Sequence, residues 1–135
     1  MRLSKTQNQL GDRVILTVDD DQATREVYGM VLASLGFHCI EASEAEQALK
    51  AVNEFELDLV IVDQRMPGMT GLEFVRKVRA QQLQFPVLLV STGRELRRLA
   101  FEAGATEYLE KPFEIEDFIS MIDHLVGSKP HAALA

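Results

Sequence analysis

Tryptophan is absent from this 135-residue chain, and cysteine occurs once, at Cys39. One thiol forms no internal bridge, so a packed core alone must hold the fold, and Cys39, in a strand-like segment, is expected to be a buried reduced thiol. No apolar run reaches the roughly 18 residues of a membrane span, and no charged-then-apolar N-terminus marks a secretory signal. A cytoplasmic location without membrane contact is therefore expected. Basic residues are outnumbered, 14 Lys and Arg against 21 Asp and Glu, for a net charge of −7. Direct nucleic-acid binding is not expected, because it normally needs a basic face. With 47% hydrophobic and 26% charged residues the composition is globular. At this length, folding buries roughly two-thirds of the unfolded surface.

Three branched apolar runs end in polar residues: Val14-Ile15-Leu16-Thr17-Val18 before Asp19-Asp20-Asp21, Leu59-Val60-Ile61-Val62 before Asp63, and Val87-Leu88-Leu89-Val90 before Ser91-Thr92-Gly93. Each reads as a buried strand. Between them the apolar spacing becomes helical. Residues 1–12 are polar and aperiodic and are expected to be a flexible leader. A first helix is predicted over 22–35 with Ala23, Val27, Met30 and Val31 on its apolar face, closed by Gly36. A short edge strand, 37–41, follows. A second helix is predicted to end near Glu54, opened by a Ser43/Glu46 capping box, and a third runs to about Gln82, opened by a Thr70/Glu73 box. The strands before and after it are expected over 57–62 and 87–90. A short fourth helix carries Leu96, Leu99, Ala100 and Ala103 and stops at Gly104. A brief strand, 106–109, precedes Lys111-Pro112-Phe113. Ile115, Phe118, Ile119, Ile122 and Val126 form the stripe of a fifth helix, and 127–135 is expected to be a loose tail.

Five βα units predict an α/β fold, a five-stranded parallel sheet of order 2-1-3-4-5 with helices on both faces, in one domain over 13–126. Strands one, three and four are apolar throughout and belong in the centre. Strands two and five are mixed and belong at the edges. Ligands of such sheets collect at the carboxyl ends of the strands, where the order reverses, here between strands one and three. Asp19, Asp20 and Asp63 are expected to converge there. Three carboxylates in one place repel one another, which a hard cation relieves, and Mg²⁺, which keeps waters and accepts phosphate oxygens, is the natural candidate. Lys111 and Ser91 stand on the other side of the same edge. Together these groups would cradle a phosphoryl group while one carboxylate attacks it in line.

Taken singly, each feature has a plainer reading. Asp21 is a good N-cap after a strand, Asp63 before Pro-Gly is a good turn starter, Lys111 is an ordinary surface charge, and Ser91 alone says little. Their agreement at four strand ends carries the functional reading.

The motifs Val18-Asp19-Asp20-Asp21, Asp58-Leu59-Val60-Ile61-Val62-Asp63, Met66-Pro67-Gly68-Met69-Thr70-Gly71, Ser91 and Gly104 through Phe113 resemble the receiver domain of two-component response regulators. The resemblance implies a phosphorylation-dependent signalling switch rather than an enzyme, with Asp63 as the phosphoacceptor and a histidine kinase or histidine phosphotransfer protein as donor. It implies that Asp20, Asp63 and the backbone carbonyl of Arg65 ligate Mg²⁺, with Asp19 acting through water. It also implies that Tyr108 turns inward on activation and that the Lys111-Pro112 bond is cis. Output to a downstream protein or a second copy is expected through helix four, strand five and helix five, where Arg94, Arg97 and Arg98 are either a solvated face or a contact for an acidic partner. Thr92 replaces the usual Ala or Gly, Arg65 is unusual at its position, and both are expected to modulate access to Asp63. The segment from Ser91 to Lys111 is about two residues shorter than is common. Competing readings are a degenerate receiver acting as a constitutive interaction module, an aspartate-nucleophile phosphohydrolase and a flavodoxin-like cofactor binder. Arg65 stands where the hydrolase needs its second acid, and three acids stand where a flavin phosphate needs hydroxyls and glycines.

Overall fold

The computed structural model describes residues 13–127, so the leader over 1–12 and the tail beyond 127 lie outside the described residues. Five parallel strands pair in the order β2-β1-β3-β4-β5. They are β1 (Val14–Val18), β2 (His38–Ala42), β3 (Leu59–Asp63), β4 (Val87–Thr92) and β5 (Glu107–Lys111). The helices between and after them are α1 (Gln22–Ser34), α2 (Ala45–Glu54), α3 (Gly71–Ala80), α4 (Arg97–Ala103) and α5 (Ile115–Val126).

The three central strands are continuous apolar runs because both of their faces are covered. Leu16, Val18, Val60, Val62, Val87 and Leu89 pack with α2, α3 and α4. Their alternating neighbours Ile15, Leu59, Ile61, Leu88 and Val90 pack with Tyr28 and Leu32 of α1 and Phe118 and Ile122 of α5. Tyr28, Phe113 and Phe118 stack, with ring centroids 4.6 Å apart for Tyr28 and Phe118 and 5.5 Å for Phe113 and Phe118. Edge positions fall to β2 and β5, as their mixed composition requires.

Several local expectations are corrected. On α1 the buried residues are Tyr28 and Leu32, whereas Val27 and Met30 are 48% and 72% exposed. This helix has more apolar residues than one face holds, so spacing alone fits two stripes equally well. The Ser43/Glu46 box does not form. Helix α2 starts at Ala45, and the Oε1 of Gln47 instead accepts from the backbone N–H of Ser43 at 2.8 Å and from its hydroxyl. The Thr70/Glu73 box is present. Helix α3 ends two residues early, before Gln82 at φ 63°. Helix α4 is short, as expected, and Gly104 closes it at φ 111°. Leu99 on α4 and Ile115 on α5 are exposed rather than buried, and Arg94 lies before α4. Cys39 is half-buried, in an edge strand with one open side, and burial pushes its thiol up to about 11. Each strand from β2 to β5 runs past its expected C-terminal end: β2 by Ala42, paired with Val18, and β3 to β5 because the ladder continues into the polar residues, pairing Asp63 with Val90 and Thr92 with Lys111.

Candidate functional site

At the carboxyl edge of the sheet, β1 and β3 deliver Asp19 and Asp63, each at least nine-tenths buried. The Nζ of Lys111, at the end of β5, donates to Oδ1 of Asp63 at 2.6 Å. The backbone N–H of Arg65 donates to Oδ2 of the same carboxylate at 2.9 Å. Both oxygens of Asp63 are thus held by donors that stabilise negative charge. Gly71 keeps this strand end in place by lacking a side chain. A Cβ there would lie 2.7 Å from the carbonyl oxygen of Asp63 and 2.6 Å from Leu89.

Asp19 accepts from the backbone N–H of Asp21 at 2.9 Å through Oδ1, while its Oδ2 is buried without a partner. Burial raises its carboxyl above the ordinary range, the Asp21 N–H opposes this, and the charge of Asp63 raises it further; Lys111 lowers it by less, and Asp20 raises it by least. Asp20 is exposed. Among the described residues no three acidic, His or Cys side chains enclose an ion position. The expected convergence of Asp19, Asp20 and Asp63 is therefore one of charge, not a closed cage. That suits Mg²⁺, which binds through one or two carboxylates and keeps its waters. The orphaned Oδ2 of Asp19 is the kind of atom such a hydrated cation satisfies, so the residues present fit it.

Next to this edge lies a hollow of about 830 Å³ lined by Asp20, Gln64, Arg65, Ser91, Thr92 and Glu95, among others. Ser91 is buried, and its hydroxyl donates to the carbonyl of Thr92 at 3.3 Å, not to Asp63. Thr92 is exposed and stands on the ridge between this hollow and a second one of about 580 Å³ that includes Tyr28, Lys111 and Phe113. Tyr108 is already turned inward, 3% exposed, with its hydroxyl on the carbonyl of Gly93 at 2.5 Å. The Lys111-Pro112 bond is cis. The arginines before and in α4 have local partners: Arg94 lies 3.9 Å from Glu110, Arg98 lies 3.0 Å from Glu102, and Arg97 lies over the ring of Phe101.

Two contributors carry no motif signal. Gln64 accepts from the N–H of Leu72 at 2.9 Å and so caps α3 from the strand end. Arg25 donates to the carbonyl of Asp19 at 2.7 Å. Only its distance of five residues from Asp20, a little over one helical turn, hints at a side chain reaching back to the acids.

The chain is similar in sequence and in fold to several known proteins. The chain is 37% identical over 122 residues to the transcriptional regulatory protein FixJ of Bradyrhizobium diazoefficiens, an alignment covering 88% of this chain and 59% of that protein. It is 29% identical to the DNA-binding transcriptional regulator NtrC of Escherichia coli, over 84% of this chain and 25% of the relative. The chain thus spans between a quarter and about three-fifths of these relatives. Because they are named as regulators of transcription, the acidic charge of this chain does not support a claim that nucleic acid is no partner. Among solved structures, the response regulator TrrA of Thermotoga maritima in complex with Mg²⁺ and BeF superposes with a TM-score of 0.77 at 32% identity, covering 84% of this chain and 98% of that one. The chemotaxis response regulator CheY4 of Vibrio cholerae gives 0.79 at 30% identity over 84% and 98%. No helix among the described residues is long and apolar enough to cross a membrane. The sequence matches the response regulator receiver domain over residues 15–123. With the sheet order, the buried acid at the end of β3 and the lysine that holds it, this places the chain in the receiver domain family of two-component signalling.

Proposed function

We propose that Asp63 accepts a phosphoryl group from a histidine kinase or histidine phosphotransfer protein, and that residues 13–126 work as one switch whose output leaves through α4, β5 and α5. The observation that carries this reading is the buried Asp63 carboxylate, held by Lys111 at 2.6 Å and the Arg65 N–H at 2.9 Å, between two hollows to which Arg65 and Lys111 contribute. Mg²⁺ would be held by Asp20, Asp63 and the carbonyl of Arg65, with Asp19 acting through a water. When bound, it supplies positive charge against the oxygens of the incoming phosphoryl group.

The remaining steps belong to the protein. A carboxylate oxygen of Asp63 forms the new P–O bond as the P–N bond of the donor's phosphohistidine breaks, and the imidazole leaves with the electron pair and takes a proton from solvent. Lys111 stays on the acidic centre and offsets the charge that accumulates there. The Ser91 hydroxyl rotates from the Thr92 carbonyl to a phosphoryl oxygen. That draws the loop after β4 toward the site, where the Tyr108 hydroxyl holds the Gly93 carbonyl.

Incubation with a small acyl phosphate and Mg²⁺, read by intact mass, tests the assignment. Wild type should gain one phosphoryl group, and Asp63→Asn, which keeps the volume but removes the nucleophile, should gain none. Uptake by Asp63→Asn at the wild-type level would refute it. Absence of uptake by the wild type itself would favour the phosphorylation-independent interaction module.

A further inference from the structure

We infer that Arg25 is a positioning residue for the acidic cation site, a role that rests on the functional reading above. Arg25 lies in the first turns of α1, its own N–H bonded to the carbonyl of Asp21 at 3.1 Å. Helical side chains lean toward the helix N-terminus, and this one reaches back over the turn that joins β1 to α1. One guanidinium nitrogen donates to the carbonyl of Asp19 at 2.7 Å, while Nε donates to Oε1 of Glu41 on β2 at 3.0 Å. The Arg25 side chain is 14% exposed and its bond to the Asp19 carbonyl is partly buried, so that bond is shielded from solvent competition more than a surface pair would be, while the Glu41 side chain at the other end is 45% exposed.

The carbonyl it holds is half of the peptide unit between Asp19 and Asp20. That unit is planar, so fixing its oxygen fixes the direction in which the Asp20 backbone, and with it the exposed Asp20 carboxylate, leaves β1. The other ties on this turn come from elsewhere. The N–H of Asp19 goes to the carbonyl of Ala42 at 3.1 Å, and the N–H of Asp21 goes to Asp19 Oδ1 at 2.9 Å. Arg25 therefore braces the peptide linking two acids against β2, with Glu41 as the far anchor. A planar fork with several donors spans two acceptors in this way, and a single ammonium does not.

Charge and position make opposite predictions here. Arg25 is a cation near a cation site, so removing it by charge alone would tighten Mg²⁺ binding. A brace predicts weakening. Mg²⁺ affinity of the metal-free protein, measured by calorimetry, should fall about tenfold in Arg25→Ala and also in Arg25→Lys, which keeps the charge, as is usual when outer partners of metal ligands are lost. In the metal-free state, amide hydrogen exchange at Asp20 and Asp21 should quicken in both variants, while exchange in β3 and β4 stays at the wild-type rate. Unchanged or tighter Mg²⁺ binding in Arg25→Ala, or unchanged exchange at Asp20 and Asp21 in Arg25→Lys, would overturn the inference. If the wild type binds no Mg²⁺, the functional reading fails, and exchange at these two amides still decides whether Arg25 braces the turn. Should Arg25→Ala not fold, Arg25→Lys carries both measurements.

Discussion

The hydroxyl of Tyr108 on β5 donates to the carbonyl oxygen of Gly93, just past the end of β4, at 2.5 Å. This bond links the edge strand of the sheet to the loop that leads into α4, two residues from the Ser91 hydroxyl. It ties the position of the aromatic ring to the conformation of that loop.

Tyr108→Phe keeps the ring and removes the bond, leaving the Gly93 carbonyl to water. Stability in urea is expected to fall by about 1 kcal/mol with an unchanged slope, and amide exchange from Gly93 to Leu96 should accelerate more than exchange in β3. Equal exchange along both segments would mean that the bond does not restrain the loop.

Thr92 offers a kinetic test. Its branched side chain, with restricted χ1, stands exposed on the ridge between the two hollows beside Asp63 and Lys111. Thr92→Ala should speed both phosphorylation by a small donor and spontaneous dephosphorylation, from a few-fold to about tenfold, or at most about 1.4 kcal/mol of barrier. Rates equal to wild type in both assays would end the idea.

Asp19 sets a pH dependence whose sign follows from its environment. Its carboxyl is raised above the ordinary value of 3.8, first by burial and then, among charges, by Asp63. The folded state therefore holds this proton more tightly than the unfolded chain, so the contribution of Asp19 to stability declines as pH rises from 3.8 through its folded value. Asp19→Asn retains an acceptor for the Asp21 N–H and removes the buried charge. In urea titrations without metal, the variant should be more stable than wild type at pH 7, and the difference should shrink as pH approaches 3.8. A constant difference at all pH values would assign the effect to packing instead.

The central strands were legible because burial on both faces leaves an unbroken run such as Leu59-Val60-Ile61-Val62, and the sheet order followed from which runs were unbroken. Their ends were not, because the backbone ladder continues into Asp63 and Thr92, where side-chain character no longer reports pairing. The face of α1 was misread for a related reason. Val27 and Met30 are as apolar as the residues that are buried, and only the aromatic stack with Phe113 and Phe118, far along the chain, selects Tyr28. At the site, the acids, Lys111 and Ser91 announced themselves by position after apolar runs. Gln64 and Arg25 act on backbone atoms, and a polar side chain that serves a neighbouring peptide group has no characteristic spacing.

The two interiors meet only through the sheet, a single layer of backbone between Phe74 on one side and Phe118 on the other. A change of volume on one side is absorbed by residues of that side, since the paired strands between them cannot shift without breaking ladder bonds. Substitutions at Phe118 must then be answered at Tyr28, Leu32, Phe113 or Ile122, and substitutions at Phe74 among α2, α3 and α4. Related sequences should therefore covary in two nearly independent blocks, which lets the surface of α1 diverge between pathways while the packing beneath α4 stays as it was.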